Sequence, residues 1–436
     1  MLLIKNGYMI DPKSKKEGIV DILIRDSKIV RIAPFIEEFN LINEFYVEDM
    51  SSVKVIDAAD KMIAPGLIDV HVHFRDPGFT YKEDIESGAK AAAKGGFTTV
   101  VMMANTNPVI DNAQTLSYAL KKGKATGIHV ESCCCVTKGL AGKELVDMKH
   151  LIVQGAIGFT DDGMPLLDES LIIEAMKLAK SLDVPISFHE ENPELIADNG
   201  IHYGKASDYY EIGGSPRSAE IDLVARDLLL ALQTGAKINI QHVSTKESVE
   251  LIRQAKAEGN NIYAEVTPHH FTLTQDSVIK QGALAKMNPP LREKADQQAI
   301  IKGLKDGTID MIATDHAPHS QEEKEKKITE APSGIIGLET ALGLGITNLV
   351  KQGHLTYIQL LEKWTSSPAD LYNLDRGYLA ENGPADLIIF NNDSWKVSDF
   401  LSKSCNSPFI GETLQGKVEY TICNGEVVYQ NVSCET

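Results

Sequence analysis

Along this chain the spacing of apolar residues changes character twice. At the start, LLIKNGYMI and VDILIRDSKIVRIA are short apolar runs broken by Asn-Gly and Asp-Ser, and at the end ADLIIFN and VEYTICNGEVVYQN repeat that pattern, with Asn424-Gly425 as a hairpin turn. Between these ends, strand-like runs alternate with stretches of helical period. Eight runs stand out: IAPGLIDVHVHF (63–74), FTTVVMMANT (97–106), GIHVESCCCV (127–136), GAIGFTDDG (155–163), VPISFHEE (184–191), KINIQHVS (237–244), NIYAEVTPHH (261–270) and DMIATDHAPH (310–319). In 81–94, Ile85, Ala89, Ala92 and Ala93 form a helical stripe that Gly95-Gly96 closes. Eight alternating units predict an α/β chain folded as a closed (β/α)8 barrel of the TIM type. An open doubly wound sheet is the alternative, and the lack of a Gly-rich dinucleotide fingerprint after the first run weakens it.

The barrel reading gains from where the polar residues fall. His71/His73, Asn105, Asp161/Asp162, His189, His242, His269/His270 and Asp315 sit at the C-terminal ends of their runs. In a barrel those ends share one rim, where barrel enzymes place their chemistry. In IDVHVHF the alternation puts His71 and His73 on one strand face, so both imidazoles can meet one ion. His189, His242 and Asp315 arrive from other strand ends, and imidazole with carboxylate suits Zn²⁺ and similar divalent ions. Five ligands exceed one tetrahedral site. The economical solution is two metals sharing a hydroxide, with Asp161 or Asp162 between them. A carboxylate beside that hydroxide can pass its proton to a leaving nitrogen, and Asp315 is the natural choice. These residues predict metal-assisted hydrolysis of an amide-like or ester-like bond.

Charge and composition narrow the partners. The 436 residues carry a net charge of −18, which argues against nucleic acid or an anionic membrane but leaves room for an anionic small substrate. The N-terminus has no signal-peptide core, and no run of about 18 apolar residues suggests a membrane span. Six cysteines, three of them consecutive at Cys133, Cys134 and Cys135, read as buried thiols of a reducing cytosol, with Cys434 a surface thiol.

Taken in order, GLIDVHVHFRDPG, MMANTNP, GFTDDG, HEEN, HVSTKES, AEVTPHH, KMNPPLR and MIATDHAPH resemble the class I dihydroorotases of the amidohydrolase superfamily, over nearly the whole chain. The resemblance implies a metal-dependent hydrolase barrel over 61–374. It also implies a small β-sandwich from both chain ends, 1–60 and 375–436, with 35–50 an extended insertion. The implied reaction is reversible closure of N-carbamoyl-L-aspartate to (S)-dihydroorotate plus water, the third step of pyrimidine synthesis. The implied cofactor is Zn²⁺, two per chain, the second position open to partial occupancy. His71, His73 and Asp315 would hold one ion and His189 and His242 the other, with Asp162 bridging where many amidohydrolases carry a carboxylated lysine. Asp315 is the implied catalytic acid–base. His73, Arg75, Asn105, Asn288, His319, Ser333 and Gly334 are implied substrate contacts, Arg75 as a bidentate carboxylate clamp on the same strand face as His73. Ser333-Gly334 stands where many relatives have Phe-Gly. His269 and His270 read as supporting residues, and QEEKEKK as a solvated segment or a lid over the site. Expected partners are the small-molecule substrate, a second copy in a homodimer and aspartate carbamoyltransferase; the expected compartment is the cytoplasm. Alternatives are an allantoinase or another cyclic-amide hydrolase, and a non-catalytic scaffold, against which the intact ligand set argues.

Overall fold

The computed structural model describes residues 1–37, 53–259 and 261–431; most of the expected insertion 35–50, and Cys434, lie outside them. The strands are β1 (Leu2–Asp11), β2 (Lys16–Arg25), β3 (Lys28–Ala33), β4 (Lys54–Asp57), β5 (Met62–Pro65), β6 (Leu67–Val72), β7 (Phe97–Met102), β8 (His129–Cys134), β9 (Gly158–Thr160), β10 (Ile186–Phe188), β11 (Ile238–Ile240), β12 (Ile262–Val266), β13 (Met311–Ile312), β14 (Leu387–Lys396), β15 (Thr413–Cys423) and β16 (Glu426–Gln430). β6 to β13 lie side by side in chain order, every neighbouring pair parallel, with helices between them. This is the expected barrel. Its first two strands are buried at every residue, as strands covered on both faces must be. The stripe in 81–94 forms the helix Ile85–Lys94, capped by the Asp84 carboxylate on the Ser87 amide, with Ala89, Ala92 and Ala93 buried.

Among the described residues, no ladder of strand bonds joins β13 to β6 to close the ring. A carboxylate does much of that work. Asp69, fully buried in β6, accepts from the backbone amides of His71 (3.1 Å) and Thr314 (3.1 Å) and from the Thr314 hydroxyl. One bridge, Val72 to His316, and the His73 amide on the His316 carbonyl (2.9 Å) complete the seam.

The chain ends form a second sheet in the order β16-β15-β14-β5-β1-β2-β3, with β4 beside β1. β5 joins the two halves, parallel to β1 and antiparallel to β14. The run 63–74, which the alternation reads as one strand, therefore divides at Gly66. Its first half pairs with β1 and β14 in the terminal sheet. A Cβ at Gly66 would meet the Thr98 hydroxyl at 2.1 Å. In β14 successive residues enter different cores: Leu387 and Ile389 pack with Leu2, Ile22 and Ile63, whereas Ile388 and Phe390 join the large barrel core. The predicted hairpin turn is present, with Asn424 (φ +53°) and Gly425 (φ +80°) both left-handed. Gly425 is needed there, because a Cβ would meet the Asp26 carbonyl oxygen at 1.7 Å.

Candidate active site

The strand ends converge as expected. His71 lies in β6 and His73 just beyond it; Asp162, His189, His242 and Asp315 follow β9, β10, β11 and β13 within three residues. Asp162 is central. Its Oδ1 lies 3.5 Å from His71 Nε2, 3.4 Å from His189 Nδ1 and 3.8 Å from His242 Nε2, and its Oδ2 lies 3.5 Å from His73 Nε2. Asp315 Oδ1 is 3.0 Å from His73 Nε2 and 3.5 Å from His71 Nε2, and His189 Nδ1 is 3.0 Å from His242 Nε2. All six side chains are buried. Asp161, the other candidate bridge, turns away to accept from the Val136 and Thr137 amides and the Thr137 hydroxyl.

The donor set fits divalent cations. His71, His73 and Asp162; His71, His242 and Asp315; and Asp162, His189 and His242 form three overlapping groups whose ligand atoms lie within 4.8 Å of one another. His71 Nε2 and Asp162 Oδ1 are buried without a hydrogen-bond partner, and both point into the cluster. The electrostatics point the same way. Burial opposes a charge on His71, yet Asp315, Asp162 and Glu265 hold its pKa well above the usual histidine range. Burial likewise opposes His189, but Asp162 and Glu191 push it up to about 10. Burial resists ionisation of Asp162 and Asp315 too, and the His71 charge nevertheless keeps both carboxyls well below their usual range. The carboxylates that favour positive charge on these imidazoles would favour a divalent cation in the same place, and its binding would displace the imidazole protons.

In His71, His73 and His189 the other ring nitrogen has a partner that helps fix which nitrogen faces the cluster. His71 Nδ1 donates to Glu265 Oε1 (2.7 Å), whose Oε2 accepts from Asn239 (2.8 Å). His73 Nδ1 donates to Asn105 Oδ1 (2.9 Å), and His189 Nε2 faces Glu191 at 3.3 Å. Glu265 and Glu191 escaped the sequence reading. The available signal was a glutamate inside the apolar run NIYAEV and a second one after His189.

Asn105 lines a cavity at the cluster, and its side chain is also engaged there: its amide nitrogen donates to Asp162 Oδ2 (3.0 Å) and its oxygen accepts from His73. Arg75 reaches the site by another route than the one predicted. The strand stops at Val72, and a left-handed turn at Arg75 (φ +58°) aims the side chain. Its Nε donates to the Pro318 carbonyl at 3.4 Å and it pairs with no carboxylate of the described residues. Arg75 and Asn288 line this cavity of about 130 Å³ with Ser333 and every member of the cluster except His71. Asn288 Oδ1 is buried and unpartnered.

His319 adjoins Arg75. Its Nε2 donates to the Ser333 carbonyl (2.9 Å) and its Nδ1 accepts from Lys82 (3.2 Å). Burial, then Arg75 and Lys82, push it down to about 2, so it is neutral. Gly334 is behind the wall: its amide donates to the Lys286 carbonyl and its carbonyl accepts from Lys324 and Asn406, leaving Ser333 to face the cavity. His270 Nε2 donates to the Pro289 carbonyl (3.0 Å) and so steadies the Asn288 loop; His269 is buried with its Nε2 unpartnered. In QEEKEKK only the start is helical, Gln321–Lys324, and Lys324 points inward to the Pro332 and Gly334 carbonyls.

A parallel barrel with imidazoles and carboxylates converging beyond its strands is the arrangement of a metal-dependent hydrolase. The amidohydrolase family pattern matches residues 62–428, and the chain belongs to that family. Within it, the chain is 55% identical over 430 residues to the dihydroorotase of Clostridioides difficile (strain 630), covering 98% of this chain and all of that one. It is 52% identical over 434 residues to the dihydroorotase of Clostridium acetobutylicum, covering 99% of this chain and all of that one. Among solved structures, the L-hydantoinase (dihydropyrimidinase) of Arthrobacter aurescens matches with a TM-score of 0.85 at 26% identity, covering 98% of this chain and 96% of that one. No helix among the described residues is long and apolar enough to cross a membrane.

Proposed function

We propose that the chain is a dihydroorotase, interconverting N-carbamoyl-L-aspartate and (S)-dihydroorotate plus water, with two Zn²⁺ ions at the cluster. One observation carries the reading: six buried imidazoles and carboxylates converge, five of them lining one small cavity beside a guanidinium that pairs with no carboxylate among the described residues. His71, His73 and Asp315 would hold one ion and His189 and His242 the other, with Asp162 between them. Such ions, when bound, lower the pKa of water and polarise a carbonyl oxygen. The protein's own groups do the rest. Arg75, which pairs directly with no carboxylate among the described residues, takes the substrate carboxylate. Neutral His319 supports it, and Asn288 Oδ1 accepts from a ring N–H. Asp315 takes a proton from the attacking water and returns it to the ring nitrogen as the C–N bond breaks; ring closure runs the same transfers backwards.

The unpaired cysteines of the described residues, all but Cys405 buried, suit a reducing cytoplasm. The reading extends to a homodimer and to association with aspartate carbamoyltransferase, which sedimentation with and without that enzyme tests. The central experiment is turnover of dihydroorotate beside allantoin and hydantoin, with metal content measured on the same sample. Turnover of dihydroorotate with about two zinc ions per chain is expected; preference for allantoin or hydantoin would refute the assignment.

A further inference from the structure

His242 sits in a backbone conformation that side chains of its kind rarely adopt (φ +33°), and the residues that keep it there lie outside the cavity. Glu220, buried near the start of the helix Ser218–Thr234, faces the turn that follows His242. Its Oε1 accepts from the Ser244 amide (3.2 Å), the Thr245 amide (2.9 Å) and the Thr245 hydroxyl (2.9 Å), and its Oε2 accepts from the Ser244 hydroxyl. Arg292 is buried beside it. Its Nη2 stands 3.8 Å from Glu220 Oε2 and has no hydrogen-bond partner, and its Nε donates to the Ser244 hydroxyl (3.0 Å). Its Nη1 donates to the Ser215 carbonyl (3.0 Å) and to His202 Nδ1 (3.1 Å). The Ser215 hydroxyl in turn reaches Glu191 (3.4 Å), the partner of His189. One buried pair thus touches the supports of both His242 and His189. The ligands of the other side rest on different groups: His71 on Asp69 and Glu265, His73 on Asn105.

We infer that Glu220 and Arg292 are positioning residues that set how tightly the His189–His242 side of the centre holds its cation, independently of the His71–His73–Asp315 side. The inference rests on the two-ion reading given above. Without Glu220, two buried amides and the Arg292 charge lose their partner, and the strained turn at His242 loses its support on the Ser244–Thr245 side. Occupancy of the second position then follows from this pair, although neither member touches the ion or the substrate.

The test is Co²⁺ titration of the metal-free full-length protein, following the visible absorption of the bound ion together with metal content. Wild type should bind two ions in distinguishable steps. Glu220→Gln should leave the first dissociation constant within about twofold and weaken the second by about tenfold to a hundredfold, with a changed absorption spectrum for the second step only. Should Glu220→Gln fail to fold, Arg292→Lys decides, because it keeps the charge but cannot reach Ser244, Ser215 and His202 together; the same selective loss is expected. Equal weakening of both ions, or of neither, would overturn the inference. The same wild-type sample is assayed with dihydroorotate: a single ion step or no turnover there counts against the proposed function, whereas two steps with turnover and no selective loss counts against this pair alone.

Discussion

Glu265→Gln tests whether the centre is tuned from behind its ligands. The native carboxylate is fully buried, accepts from His71 Nδ1 at 2.7 Å and from Asn239 at 2.8 Å, and lies among the charges that hold His71 above its usual range. Glutamine keeps the shape and removes the charge. Its single oxygen can serve only one of the two donors. Asn239 can adapt, because its Oδ1 is buried and unpartnered and can turn to meet the new amide. His71 then keeps an acceptor but loses a charged one. A hydrogen bond to a charged group contributes about 1.5–3 kcal/mol and a neutral one about 0.5–1.5, so the change costs about 1–1.5 kcal/mol, roughly tenfold in affinity for the ion bound by His71. Glu265→Leu should cost more, since the His71 N–H is left buried without any acceptor, a penalty of about 1–3 kcal/mol. The assay is competition with a zinc chelator, paired with turnover at saturating zinc. Glu265→Gln should release zinc about tenfold more readily and recover most of its turnover when zinc saturates. Unchanged zinc affinity, or a loss confined to the other ion, would refute the reasoning.

Three further outcomes follow from the site. Arg75→Met should raise KM for dihydroorotate by about tenfold to a hundredfold and leave metal content unchanged, because the guanidinium touches no ligand; loss of metal would contradict its placement. Asp315→Asn should lower kcat by about a hundredfold to ten thousandfold at full metal loading, checked by turnover beside metal analysis. Burial, then the Lys286 charge, push Lys324 down to about 7, against about 10.4 in an unfolded chain. Between those values the unfolded chain binds the proton that the folded one has shed, so this lysine makes stability rise with pH from about 7 to about 10 and contributes no slope below. Melting temperatures across that window should climb less steeply in Lys324→Met than in wild type.

The candidate ligands were legible in the sequence, and their supports were hidden. A ligand has a residue type and a phase: His71 and His73 alternate within a strand, and Asp315 closes a run, so position and chemistry could be read together. Glu265 shares that legibility in principle, as a glutamate in an apolar strand. Glu220 and Lys82 do not, since each looks like one more helix or loop charge until the fold brings Ser244 or His319 beside it. Periodicity failed where the chain changes sheet without changing pattern, at Gly66, and where a strand ends earlier than its alternation, at Arg75. In both cases the deciding contact is with a segment remote in sequence, Thr98 for the glycine and Pro318 for the arginine.

The shortness of the strands explains why buried acids gather at this rim. β9, β10 and β11 are three residues long and β13 only two, so the ladder stops before the chain reaches the ligands. Beyond it His242 and Asp315 take left-handed backbone at φ +33° and +47°, which carries a cost of about 1–3 kcal/mol per residue. Something other than a ladder has to hold those turns. Asp69 ties β6 to the residue before Asp315, Asp161 ties the end of β9 to the end of β8, and Glu220 ties a helix to the turn after His242. Each takes up backbone amides that no strand partner reaches, and each is nearly or fully buried. A carboxylate accepts several donors at once from one point, which a neighbouring strand cannot do at the end of its ladder. The rim is therefore a ring of acids of two kinds, those that face the imidazole cluster and those that hold the backbone, and the second kind fixes where the first can stand.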